Sequence, residues 1–108
     1  MLVDGETIET DNDGYLQYFG RWSETVAEAI ADREAITLGP AHWEIIHLLR
    51  NFYRQYEQSP AMRPLVKFVN QQLGADKGNS IYLLKLFPGS PAKIASKIAG
   101  LPRPEHCL

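Results

Sequence analysis

The residues best suited to chemistry stand at the carboxyl end, in the stretch Gly100-Leu101-Pro102-Arg103-Pro104-Glu105-His106-Cys107-Leu108, which holds the only cysteine of the 108-residue chain. The usual fate of a cysteine is burial as a small hydrophobe. A penultimate cysteine beyond a glycine and a Pro-x-Pro element has few neighbours in its own chain to bury it, so a working thiol is the better reading of Cys107. Arg103 and His106 are near enough in sequence to favour its thiolate, and Glu105 opposes them. His106 and Cys107 do not make a hydrolase dyad: adjacent residues of an extended chain point to opposite sides, and no Asp or Asn is tied to the imidazole to orient it. What such a thiol can do is carry a group, a persulfide or another thiol adduct, between partners that supply the electrophile, the base and the shielding. One thiol suffices for that relay, whereas release of the cargo by an internal disulfide needs two.

The elements that must position this thiol follow from the local pattern. Pro102 and Pro104 lack amide donors and fix φ near the polyproline value, so residues 101–108 read as a semi-extended arm. Seven steps from Gly100 to Cys107 at about 3.1 Å each give a reach of roughly 20 Å. The arm is delivered by a helix that opens at Ser90-Pro91-Ala92, presents Ile94, Ala95, Ile98 and Ala99 on one face, and stops at Gly100. Lys93 and Lys97 lie one turn apart on that helix and are candidate docking residues beside the arm.

Upstream, two Asp-Gly pairs, Asp4-Gly5 and Asp13-Gly14, punctuate β-branched and aromatic residues and predict a small antiparallel meander. So small a sheet needs a helical layer beneath it. Ser23 caps a helix over 24–34, with Val26, Ala27, Ala29 and Ile30 at helical spacing. A second helix begins near Pro40 and, with apolar residues on more than one stripe, reads as the central one. Ser59-Pro60-Ala61 resembles a helix start, Pro64 restarts or bends the segment, and Gly74 stops it. The segment from Ser80 to Phe87 has an ambiguous period and is read as helix from its neighbours. The class is therefore α+β: one domain, 1–108, with a small N-terminal antiparallel β meander packed on an array of about five helices and a flexible C-terminal arm.

Composition narrows the function. A hydrophobic fraction of 44% and a charged fraction of 22% belong to a globular chain that folds unaided. No apolar run is long enough to span a membrane, no secretion signal opens the chain, and a lone thiol persists best in reducing cytoplasm, which is the expected compartment. The net charge of -2 hides an asymmetry: residues 1 to 34 carry nine acidic and two basic side chains, and residues 61 to 108 carry two acidic and seven basic. The basic half raises a rival reading, a helix-turn-helix built from residues 63–74 and 80–87, with Arg63, Lys67, Lys77 and Lys85 on phosphates. Its connection, Ala75 to Asn79, is too long for that motif, and Leu, Ile and Tyr dominate where base-reading Arg, Asn or Gln belong, so strong direct nucleic-acid binding is not expected. His42 and His47, about 140° apart around one helix, cannot share a metal, and no C-x-x-C pair or Gly-rich phosphate loop occurs.

The stretches "HWEIIHLLRNFY", "SPAMRPLVKFV", "KGNSIYLLKLFP" and, above all, "PAKIASKIAGLPRPEHCL" resemble the DsrC/TusE family of small sulfur-carrier proteins over nearly the whole chain. The resemblance implies a β meander on an array of helices and an arm whose Cys107 accepts sulfane sulfur. On its TusE-like side it implies that a TusBCD-like complex donates the sulfur and that a tRNA 2-thiouridylase with bound tRNA receives it, for 2-thiolation of the wobble uridine. On its DsrC-like side it implies a partner of dissimilatory sulfite reductase or another sulfur oxidation or reduction system. The second arm cysteine of the DsrC proteins, eleven residues before the penultimate one, is matched here by Ser96, which favours the one-thiol relay. Arg103, His106, Lys93 and Lys97 are the candidate auxiliary residues, and the transfer needs no metal or organic cofactor.

Overall fold

The computed structural model describes residues 1–105, which form two short strands and five helices. Leu2–Val3 (β1) and Glu6–Thr7 (β2) pair antiparallel, Leu2 opposite Thr7 and Val3 opposite Glu6. Asp4 and Gly5 form the turn with φ of 49° and 82°, the double left-handed geometry that suits a two-residue hairpin. The second Asp-Gly pair behaves differently. Asp11 accepts the amides of Asp13 and Tyr15 through its carboxylate, both at 2.9 Å, so the chain curls around a side chain, and only an isolated bridge between Thr10 and Leu16 continues the expected meander.

The helices are Glu24–Arg33 (α1), Pro40–Tyr56 (α2), Met62–Leu73 (α3), Ser80–Leu86 (α4) and Pro91–Ile98 (α5), with a single 3-10 turn at Phe19–Arg21 before α1. Ser23 caps α1 as expected, its hydroxyl accepting the Val26 amide at 3.1 Å. At the start of α2, His42 Nδ1 accepts the Gly39 amide at 3.1 Å, which leaves the proton on Nε2 to donate to the Leu86 carbonyl at 2.9 Å. That imidazole therefore pins the beginning of α2 to the end of α4. Asn79, rather than Ser80, caps α4 by accepting the Tyr82 amide at 2.9 Å, and buried Leu83 settles the ambiguous period as helical.

Ser59 does not cap α3. The helix starts at Met62, and Leu65 makes its first backbone bond, to the Ala61 carbonyl at 3.0 Å. Pro64 thus sits in the first turn, where no amide proton is needed, and it neither bends nor restarts the helix.

The element that the other helices share is α5 rather than the longer α2: it lies against α1, α2, α3 and α4. Ala92, Ala95 and Ala99 are fully buried there, and their small side chains let several neighbours approach one short helix at once. Around it a single core runs through Ile30, Ile45, Ile46, Leu49, Leu65, Leu83 and Phe87, and it ends on Leu101, just past the helix. The helix that delivers the arm is thus also the centre of the core.

Candidate functional site

The arm leaves α5 through a fully formed stop. Gly100 adopts φ of 75°, its amide donates to the Lys97 carbonyl at 3.1 Å, and the Leu101 amide donates to the Ser96 carbonyl at 2.9 Å. These two reversed bonds are the Schellman arrangement, and its accompanying apolar contact is Leu101 itself, 0% exposed. A β-carbon on Gly100 would stand 2.5 Å from Trp22 Cδ1, so glycine is required by space as well as by its dihedral.

The last carbonyls of α5 are taken by two side chains from elsewhere in the sequence. Trp22 donates its indole N–H to the Ile98 carbonyl at 2.9 Å, and Arg50 donates from Nη1 to the Ala99 carbonyl at 2.7 Å. Arg50 is only 7% exposed and has no carboxylate partner among the described residues. Its guanidinium lies 3.9 Å from the Trp22 ring centre and 4.3 Å from that of Phe19, so two aromatic faces take the place of a counter-ion. Burial, assisted by nearby Arg54, lowers its pKa to about 10, which leaves it charged at neutral pH.

Beyond the helix, residues 101–104 lie along the body. The Ser59 hydroxyl, which does not cap α3, donates to the Pro102 carbonyl at 2.5 Å, and Pro104 is buried. Arg103 pairs with Asp13 at 3.2 Å, and its guanidinium stands 5.7 Å from the centre of the Tyr15 ring. The first steps of the arm, counted above as free length, are therefore spent against the protein. A groove of about 380 Å³ opens beside them, lined by Phe52, Tyr53, Glu57, Pro60, Arg103 and Glu105 among others.

Cys107 and His106, the thiol and its nearest candidate helper, lie outside the described residues. Of the other sequence-predicted residues, Arg103 is turned toward Asp13 and Tyr15, and Lys97 pairs with Glu34 at 3.2 Å and stands 5.1 Å from the centre of the same Tyr15 ring. Lys93 is tied through its backbone, its carbonyl accepting the Tyr15 hydroxyl at 3.3 Å. Tyr15 thus gathers three of the candidate residues at one corner. Burial raises its phenol above the ordinary 10.0, and the adjacent Arg103 guanidinium partly opposes that rise. Sequence reasoning missed Tyr15, Trp22, Arg50 and Ser59. For Arg50 a signal was present: it falls on the same helical stripe as Ile46, Leu49 and Tyr53, where a cation is out of place.

His42 and His47 point to separate partners, His42 to Leu86 and His47 to Glu24 at 3.3 Å. Among the described residues no cluster of His, Cys, Asp and Glu could hold a metal ion, and no helix is long and apolar enough to cross a membrane.

Comparison with known proteins gives one consistent answer. Residues 2–108 match the family model described as "DsrC like protein". The chain is similar to the sulfurtransferase TusE of Sodalis glossinidius, 56% identical with all of both chains covered, and to a sulfurtransferase TusE homolog of Haemophilus influenzae, 55% identical over all of this chain and 99% of that one. It is 49% identical to the sulfurtransferase TusE of Escherichia coli K12 over the same shares. Its fold superposes on the solution structure of Allochromatium vinosum DsrC with a TM-score of 0.91, at 44% identity and covering 100% of this chain and 96% of the other. The oxidized gamma-subunit of the dissimilatory sulfite reductase (DsrC) of Archaeoglobus fulgidus superposes with a TM-score of 0.84, at 41% identity over 98% and 96% of the two chains. A model matched from the second residue to the last, and a fold shared down to the helix that carries the arm, leave one conclusion: this chain belongs to the DsrC-like protein family.

Proposed function

We propose that this chain is a cytoplasmic sulfur-relay protein that carries sulfane sulfur as a persulfide on Cys107, acting as a sulfurtransferase together with partner enzymes. The observation that carries the reading is the construction of the arm's base. A Schellman stop, two side-chain donors and the Ser59 hydroxyl hold residues 98–102 in place, immediately before a short terminal segment that contains the only thiol of the chain. In sequence only His106 stands between Glu105, the last described residue, and Cys107. In this reading the held base of the arm is the fixed point from which the thiol is handed between two active sites.

In the first step the Cys107 thiolate attacks the outer sulfur of a donor persulfide. The S–S bond of the donor breaks, its thiolate leaves with the electron pair, and Cys107 becomes a persulfide. In the second step a thiolate of the acceptor attacks that outer sulfur and Cys107 is released as thiolate. No net oxidation or reduction occurs on the carrier, and no cofactor enters. The names of the full-length relatives support the TusE-like version, in which a TusBCD-like complex donates and a tRNA 2-thiouridylase with bound tRNA accepts, for 2-thiolation of the wobble uridine. Ser96 supports it as well: it is 0% exposed and carries a hydroxyl, which cannot close a disulfide with Cys107. Arg103, His106, Lys93 and Lys97 assist docking or the exchange electrostatically in this reading.

The likeness to DsrC structures favours a second reading, partnership with a dissimilatory sulfite reductase. Incubation of the full chain with a persulfide-loaded TusBCD-like complex, followed by intact-mass measurement, separates the two. Gain of one sulfur from that complex supports the relay, whereas no gain, together with stable binding to a sulfite reductase, overturns it.

A further inference from the structure

The least expected feature of the structure is Arg50, a buried cation with no anion paired to it among the described residues. Taking a guanidinium out of water costs several kcal/mol, and an apolar side chain of the same length would fill the gap between Phe19 and Trp22 at lower cost. What an apolar side chain cannot do is donate a directed hydrogen bond to the Ala99 carbonyl, the last acceptor of α5 before Gly100 turns the chain. Trp22 acts on the preceding carbonyl and also stacks on Arg50, so one guanidinium and one indole grip two successive peptide units. Cys107 lies only eight residues beyond Ala99 in sequence, and the first of the residues that follow, 101–104, are set against the body, so the α5 terminus sets the direction in which the chain continues.

We propose that Arg50 is a positioning residue for sulfur transfer: it fixes the direction in which α5 launches the arm, and so the place at which Cys107 is presented to a protein partner. In this proposal Arg50 acts through the end of α5 and leaves the intrinsic reactivity of the thiol unchanged. The proposal rests on the sulfur-carrier reading of Cys107 and adds to it a determinant outside the arm. Protein-to-protein transfer is the step that feels it, because misplacement of reacting groups by about 1 Å can cost up to a hundredfold in rate.

The test uses the full chain with Arg50→Met, which keeps length and apolar stacking, and Arg50→Lys, which keeps a donor but loses the planar stack. Each variant is compared with wild type in three measurements: thermal midpoint, the rate of Cys107 alkylation by iodoacetamide, and steady-state sulfur acceptance from a persulfide-loaded TusBCD-like complex well below the midpoint. Arg50→Met is expected to keep its alkylation rate within about twofold while kcat/KM for the protein donor falls roughly ten- to a hundredfold, chiefly through KM. Arg50→Lys falls between the two and also serves if the methionine variant does not fold. Folded variants that accept sulfur with wild-type kinetics overturn the proposal, as does a parallel loss of alkylation and transfer. Failure of wild type itself to accept sulfur removes the carrier reading and this proposal with it, whereas wild-type acceptance that is indifferent to Arg50 removes the proposal alone.

Discussion

Substitution of Gly100 by alanine tests whether the arm's base is as rigid as its contacts imply. The residue sits at φ of 75°, where a β-carbon alone costs on the order of 1 kcal/mol. That β-carbon would also lie 2.5, 2.9 and 3.1 Å from Cδ1, Cγ and Cβ of Trp22. Trp22 cannot simply withdraw, because its indole N–H is bonded to the Ile98 carbonyl and its ring covers Arg50. Relieving such an overlap in a packed site costs about 1–3 kcal/mol. The sum, about 2–4 kcal/mol, corresponds to a fall in thermal midpoint on the order of 10–20 °C for a domain of this size. Gly5→Ala is the control: its φ is 82°, but nothing lies within 4 Å of the added carbon, so only the backbone cost applies. Circular dichroism melts of both variants decide the matter. If Gly100→Ala melts no lower than Gly5→Ala, Trp22 is not held as described and the account of the clamp fails.

Ser96→Ala should be neutral or stabilising by about 1 kcal/mol in denaturant titration, since it removes a fully buried hydroxyl with no partner among the described residues; a loss larger than 1 kcal/mol would mean that the hydroxyl is bonded. Tyr15→Phe should make stability less sensitive to alkali. Because burial raises the folded-state phenol above 10.0, the unfolded chain releases this proton first, and wild type loses stability as pH climbs past that value. Arg50, lowered to about 10, acts in the opposite sense in the same window, but it is present in both chains and cancels in the comparison. Denaturation midpoints measured from pH 9 upward that fall equally in the two chains would contradict the assignment.

The helices were legible because their signals are local: Ser23 before an amphipathic run, Pro40 and Pro91 in first turns, Gly74 and Gly100 as stops. The meander shrank to one hairpin because Asp11 offered its own carboxylate to the backbone, a competition that strand propensity does not register. Ser59 read as a cap because Ser-Pro-Ala looks the same before α3 as before α5; what distinguishes it is the Pro102 carbonyl, 43 residues away in sequence. The same holds for the site. A penultimate thiol behind two prolines can be seen in one dimension, whereas the grip of Trp22 and Arg50 on α5 spans 76 and 49 residues and exists only in the folded chain. Small alanines pointed to an apolar face on α5, but not to its place at the centre of the helices, because that depends on how closely four neighbours can approach.

The central claim, that Cys107 is the atom-level carrier of sulfur, is tested most directly by intact mass spectrometry of wild type and Cys107→Ser after incubation with a persulfide-loaded TusBCD-like complex. The account predicts a gain of one sulfur atom on wild type that a reducing thiol removes, with no gain on a Cys107→Ser chain whose melting is unchanged. An equal gain of sulfur by both chains would contradict it.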